Sequence, residues 1–172
     1  MSELIRLVYA SRAAFRPAPV EQGVEPSVAR ILMQSRRNNS HENIGGVLYF
    51  GDGYFFQALE GDRRAVNQTY QRIAADSRHR EVTILSLKTV PNRLFADWSM
   101  KYVPVEQAVR AFVRSRGYQH FAPLQFQEEE AEALIKLFHQ QRNGDAVDVK
   151  RKRGWFGLRR LFAFTDGGSA GK

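Results

Sequence analysis

The sequence has no cysteine, and that absence removes thiol nucleophiles, disulfide frameworks, Cys-based zinc sites and iron–sulfur clusters together. Its four histidines, His41, His79, His120 and His139, fall at no metal-ligand spacing, and there is no HExxH. No metal site is expected. A GxSxG elbow, a P-loop and a GxGxxG after the first apolar run are all missing, so the common hydrolase, nucleoside-triphosphatase and dinucleotide-binding folds lack the parts that place a nucleophile or cradle a phosphate. No apolar run approaches the ~20 residues of a membrane span. The opening Met1-Ser2-Glu3-Leu4 has an acid where a secretory leader wants a basic region, so a reducing cytoplasm is the expected location. Internal repeats and low-complexity tracts are likewise absent.

What is present is the balance of an ordinary globular chain: 172 residues, 43% hydrophobic and 26% charged. At this length one core buries roughly 70% of the surface that the unfolded chain exposes, enough for stability without staples. The net charge of +8 suggests a polyanion-binding protein until it is located. Residues 150–172 hold seven basic residues against Asp166 alone, which is +6, and leave the body at about +2. The body is therefore near neutral. A basic aromatic tail over 143–172, with Lys150 to Arg153 beside Trp155, Phe156, Leu158 and Phe162, follows the helix stop at Asn143-Gly144. Such a segment suits an anionic membrane surface, a docking helix or nucleic acid, and the plainer reading is a solubilising tail without order.

Ile5 to Ser11 is a short β-branched and aromatic run that predicts a first strand. Pro26 suits a first helical turn, and Val28, Ile31, Leu32 and Ser35 follow at helical spacing toward a stop near Asn38-Asn39. Gly46–Phe50 and Tyr54–Glu60 flank Gly51-Asp52-Gly53, the signature of a hairpin. Asp62 caps a second helix carrying Val66, Tyr70 and Ile73. Strands are expected over Glu81–Val90 and Trp98–Val103, the latter placing Trp98 and Met100 on one face. The order β-α-β-β-α-β-β predicts an α+β, ferredoxin-like fold: a five-stranded mixed sheet with two helices on one face. Two C-terminal helices follow, Val105–Arg114 and Glu128–Gln141. Leu134, Leu137 and Phe138 stripe the second of them, as a partner-binding face or as packing against the chain's own sheet.

Two polar residues sit where apolar ones are expected. Gln57 lies within an apolar strand, its face shared with Phe55 and Leu59, and an amide left unpaired in a core costs about 1–3 kcal/mol. Alternation allows it to face either the helix-covered core or solvent, and solvent is the ordinary outcome for a polar side chain. Tyr9 reads as a core aromatic with its hydroxyl at an edge.

Taken together, Tyr9-Ala10-Ser11, Ser35-Arg36-Arg37-Asn38-Asn39, Gly45-Gly46-Val47-Leu48-Tyr49, Phe55-Phe56-Gln57-Ala58-Leu59-Glu60-Gly61, Asp76-Ser77-Arg78-His79 and Trp98-Ser99-Met100 closely resemble the BLUF domain, the sensor of blue light using FAD. The resemblance spans about residues 1–104 and leaves 105–142 as a helical extension. It implies an FAD whose ring lies between the two sheet-packing helices with Ile31 and Ile73 as its walls. By the same match Asn39 meets the ring's C4-carbonyl and N3 edge and Asn38 resembles a family residue near the flavin, while Arg72, Asp76 and His79 hold the opposite edge. Tyr9 and Gln57 become the photoactive pair, and Trp98 and Met100 the relay. The implied protein is a switch that consumes no substrate, forms homo-oligomers and signals to a separate partner such as a cyclic-di-nucleotide phosphodiesterase or a transcription regulator. Two readings compete with it: an acylphosphatase-like hydrolase, which needs a phosphate loop from Ser11-Arg12-Ala13-Ala14-Phe15, and a flavin-free nucleic-acid-binding module, which needs a basic body.

Overall fold

A computed structural model describes residues 3–17, 25–103 and 106–141. The chain divides into two compact units, Met1–His139 and Gln140–Lys172. The basic tail, and with it every expectation for 143–172, lies outside the described residues.

Five strands form one sheet in the first unit: β1 (Leu4–Ala13), β2 (Gly45–Gly51), β3 (Tyr54–Asp62), β4 (His79–Thr89) and β5 (Lys101–Tyr102). Their order is β4-β1-β3-β2-β5, with β1 antiparallel to both β3 and β4, and β5 parallel to β2. This is the expected mixed, ferredoxin-like arrangement. The hairpin between β2 and β3 turns through Asp52 at φ 50° and Gly53 at φ 78°. Two successive left-handed residues make the tight turn whose twist matches the strands, which is why Asp-Gly stands there.

Helix α1 (Pro26–His41) starts as its sequence indicates, with Pro26 in the first turn and the Glu25 carboxylate accepting from the Val28 N–H at 2.9 Å. It buries Val28, Ile31, Leu32 and also Asn39. Helix α2 (Arg63–Ala74) is capped by Asp62, whose Oδ1 accepts from the backbone of Arg64 and Ala65. These two helices cover one face of the sheet, closing a core of Ile5, Leu7, Tyr9, Leu48, Phe55, Leu59 and Met100.

The opposite face is not left to solvent. Helix α3 (Glu106–Ser115) and helix α4, over 128–141, bury Val109, Phe112, Val113, Ala131, Leu134, Ile135 and Phe138 against Val8, Ala10, Val47, Phe56 and Ala58. Of the two readings of the stripe on α4, the structure shows packing against the chain's own sheet. Alternation along β1 and β3 serves both layers, because successive residues point to opposite faces.

One expected element is much shorter than its pattern. Instead of a strand over Trp98–Val103, only Lys101–Tyr102 pair with β2, and the preceding residues run irregularly across its start. The Gly46 N–H donates to the Trp98 carbonyl at 2.8 Å, holding this stretch outside the strand ladder. Trp98 stacks on Phe95 beside the α4-side core, whereas Met100 is buried in the α1/α2-side core. The two do not share a face, because the alternation that would align them requires a continuous strand.

Candidate functional site

Between α1, α2 and the underlying strands lies a narrow slot of about 110 Å³. Register places its floor: Tyr9 on β1 is directly opposite Gln57 on β3, and Gln57 is directly opposite Leu48 on β2. A bulge in the β1–β4 pairing falls between Val8 and Tyr9, where β4 passes from Ser86 to Ile84. Bulges of this kind re-aim side chains beside functional sites.

Gln57 is 2% exposed and faces the helices. Solvent, the ordinary destination of such a residue, is thus the wrong one here. Its carbonyl oxygen accepts from the Tyr9 hydroxyl, and its Nε2 donates to the Met100 sulfur at 3.4 Å. A thioether is a weak acceptor, and an amide carries two donors, so Gln57 retains strong donor capacity inside the protein. Tyr9 is fully buried, and desolvation of the phenolate, helped by the nearby Tyr70 and Asp76, drives its pKa far above the ordinary tyrosine range. The phenol therefore keeps its proton and donates its hydrogen bond to the Gln57 carbonyl oxygen.

All nine residues expected at the photoactive pair and ring site line this one slot: Tyr9, Ile31, Asn38, Asn39, Gln57, Arg72, Ile73, Asp76 and His79. Ile31 from α1 and Ile73 from α2 supply its apolar surfaces. Asn39 is 2% exposed and donates from Nδ2 to the Ser99 carbonyl at 2.8 Å, so α1 also grips the stretch that carries Met100. Arg36 does the same, from Nε to the Met100 carbonyl at 2.9 Å.

At the far end the polar side chains engage one another. Arg72 is on α2, which ends at Ala74, and Asp76 lies beyond it. Asp76 holds Arg78 through both carboxylate oxygens, and this lowers the pKa of the acid. Arg78 in turn reaches Gln34 on α1 at 2.7 Å, tying the loop after α2 across the slot. Arg72 donates to the Thr69 hydroxyl at 2.8 Å and to Glu42 at 3.3 Å. His79 pairs its Nδ1 with the Ser11 hydroxyl at 2.8 Å, and burial pushes its pKa down to about 4. Four further wall residues escape a reading of the sequence: Gln34, Ser35, Thr69 and Arg78. Helical spacing offers a signal for three of them, Gln34 and Ser35 three and four residues after Ile31 and Thr69 three before Arg72. Arg78 has no such spacing and lies only within the Asp76-to-His79 motif, since its place depends on the turn that follows α2.

The lining has the character of a site for a flat heteroaromatic ring: apolar on both sides, narrow, and edged by amide, guanidinium and carboxylate groups. The model of the family "Sensors of blue-light using FAD" matches residues 4–101. The chain belongs to the BLUF family. Among solved structures, the BlsA ground state shares 29% identity at a TM-score of 0.70, covering 79% of this chain and 87% of that one. A photoactivated adenylate cyclase subunit beta of Euglena gracilis is 32% identical over 74 residues, 42% of this chain and 9% of the relative. The blue light- and temperature-regulated antirepressor BluF of Escherichia coli K12 is 33% identical over 74 residues, 43% of this chain and 18% of the relative. The matched region thus spans less than a fifth of the length of these two curated relatives.

The acylphosphatase reading does not survive this geometry. Ser11 and Arg12 lie within β1, and Arg12 is engaged with Glu81 at 3.0 Å, so the phosphate loop it needs is not formed. The flavin-free nucleic-acid module gives way to the family match, which covers the near-neutral body. Among the described residues no helix is long and apolar enough to cross a membrane.

Proposed function

We propose that this BLUF protein is a blue-light receptor whose flavin is FAD, bound with its ring in the slot between α1 and α2, and that it acts on a separate effector protein without turning over a substrate. The buried Tyr9–Gln57 pair, with Gln57 poised between a phenol and a thioether, is the single observation that carries the reading. Ile31 and Ile73 would flank the ring, Asn38 and Asn39 one of its polar edges, and Arg72, Asp76, Arg78 and His79 the other. When bound, an excited flavin supplies a strong one-electron oxidant.

The protein's own part is an exchange of protons and hydrogen bonds at Gln57. Loss of an electron makes the Tyr9 hydroxyl strongly acidic, and the Gln57 carbonyl oxygen is the atom placed to take its proton. A rotated or tautomerised amide presents a different donor pattern on return. If the amide turns over, its carbonyl oxygen faces the Met100 sulfur and the N–H to sulfur contact is lost. Met100 is the end of a stretch gripped by Arg36, Asn39 and Gly46, so its displacement bears on β5 and on α3 beyond it. Trp98, packed on the other side of the sheet, takes part through the same stretch.

Purified protein should be yellow, release FAD on denaturation, and show a reversible red shift under blue light. Tyr9→Phe and Gln57→Leu should each keep the flavin and lose the shift. A normal photocycle in either variant would sink the mechanism, and release of FMN alone would overturn the choice of FAD. The cyclases and antirepressor among the relatives support effectors in nucleotide signalling or transcription. An effector of that kind should be retained differently by the full-length protein in light and in darkness. The basic tail is proposed to assist by contact with an anionic surface, and self-association is expected to show in sedimentation.

A further inference from the structure

The slot between α1 and α2 measures about 110 Å³, below the roughly 300–1,000 Å³ usual for small-molecule sites. A flat polycyclic ring passes into such a space only if some contact across its mouth gives way. The helices themselves are anchored. Buried Val28, Ile31 and Leu32 hold α1 on the sheet, Arg36 and Asn39 tie its end to the Met100 and Ser99 carbonyls, and buried Val66 and Thr69 hold α2. What spans the gap between the two walls is a pair of side-chain links: Arg72 to Glu42 at 3.3 Å, and Arg78 to the Gln34 carbonyl oxygen at 2.7 Å. Gln34 and Glu42 are eight positions apart, roughly 12 Å along a helix, so the links bracket the part of α1 that lines the slot with Ser35, Asn38 and Asn39.

The two links are unequal. The Arg72–Glu42 contact is long and lies between largely exposed side chains, and Arg72 divides itself between Glu42 and Thr69. Arg78, in contrast, is a fixed arm. Asp76 accepts from its Nε at 2.9 and 3.1 Å and from its backbone N–H at 2.9 Å, and the Arg78 carbonyl accepts from the Ala14 N–H at 2.9 Å just beyond β1. Gln34 is exposed, and Arg78 is the one hydrogen-bond partner of its side chain among the described residues. A rigid arm is thus met by a flexible amide. Parting them leaves the guanidinium on Asp76 and the amide in water, with no movement of backbone. Of the two links this is the shorter and the better held, so its opening sets the pace.

We propose, on the reading of this slot as the flavin site, that Gln34 is its latch: a positioning residue that keeps the Arg78 arm across the mouth and sets the rate at which flavin enters and leaves. The latch stands before and after the ring is seated and opens only for its passage. A bond kept in both end states and lost only between them slows entry and exit by the same factor and leaves the affinity unchanged. A residue that merely touched the bound flavin would change exit and affinity together.

The test uses full-length, flavin-loaded protein in darkness. On dilution, the rise of free FAD fluorescence gives the release rate, and its plateau over a series of dilutions gives Kd. Gln34→Ala removes the acceptor in a good helix former and should speed release by roughly fivefold, with Kd within about twofold of the parent. Gln34→Glu offers Arg78 a charge-assisted bond and should slow release below the parent. Arg37→Gln, on an exposed part of α1, should change neither quantity. Visible absorbance and far-UV circular dichroism before dilution report that each variant is loaded and folded. Release at the parent's rate in both Gln34 variants, or a Kd that moves as far as the release rate, would overturn the latch. A parent protein that carries no flavin would remove the reading beneath the latch, and the latch with it, so the two failures are told apart.

Discussion

At the scale of single residues, the informative positions are those whose chemistry disagrees with their surroundings. Gln57 stands out in the sequence as an amide in an apolar strand, but the face it takes depends on which side of the sheet the helices cover, and short-range alternation carries no record of that. Only the match of several motifs in order assigns it a buried role. His79 shows the same dependence. Its pKa falls because β4 begins under the loop after α2, with Phe55 at 4.5 Å ring to ring and the Ser11 hydroxyl on Nδ1. Burial favours the neutral ring, so the unfolded chain takes up a proton near pH 6.5 while the folded protein does so only near pH 4. The stability that the neutral ring confers is whole above pH 6.5 and lost as the pH falls toward 4, by at most about 3 kcal/mol. Urea unfolding at stepped pH, with excess flavin, should show this decline, and His79→Gln should flatten it. Asp76, held below its ordinary pKa by Arg78, contributes in a lower window, so the two can be separated.

Whole elements are legible where periodicity and capping agree. The helices α1 and α2 and the hairpin stand where Pro26, Asp62 and Asp52-Gly53 put them. The last strand misleads because Trp98 to Val103 alternates like a strand, while the long-range contacts that hold Phe95 to Met100 off the ladder have no local signature. Those contacts depend on two adjacent glycines. A Cβ on Gly45 would lie 2.3 Å from the Phe95 carbonyl oxygen, and one on Gly46 would lie 2.4 Å from the Ala58 carbonyl oxygen and 3.0 Å from the Met100 Cε. Neither backbone can yield cheaply. Gly45→Ala and Gly46→Ala should each cost roughly 1–3 kcal/mol in thermal or urea unfolding. Gly46→Ala should in addition change the rate of dark recovery, since it presses on the residue that touches Gln57; an unaltered rate would argue against Met100 as the first relay.

Across the whole molecule, the sheet is a shared wall between two cores, and a buried ionic group ties the layers on its far side. Arg6 on β1 donates to Glu60 on β3 and to Glu132 on α4, each at 3.0 Å. Glu60 also accepts from the Phe95 N–H at 2.9 Å, and Glu132 from the Ser86 hydroxyl at 2.7 Å. One node thus joins the central strands, the start of the Phe95–Met100 stretch and the C-terminal helix. Arg6→Leu would strand two buried carboxylates and should cost about 3–5 kcal/mol. Replacing Glu60 and Glu132 by Gln in that background should recover much of the loss, which chemical denaturation can measure. Local sequence carries no sign of this node, whose members lie 54 and 126 positions apart.

The place of β1 between two partners also sets an order of events in time. Tyr9 must wait for Gln57, 48 positions later, and then for Ile84 on the opposite edge, before its strand is flanked. The hairpin can close locally within microseconds, but the strand that supplies the phenol is completed only by distant pairings, the slow class of contact. During synthesis the earliest strand would therefore be among the last to find both neighbours. A chain stalled before residue 79 would have the slot's amide without the strand that shuts its outer side, and a flavin would meet a finished floor only after β4 had emerged.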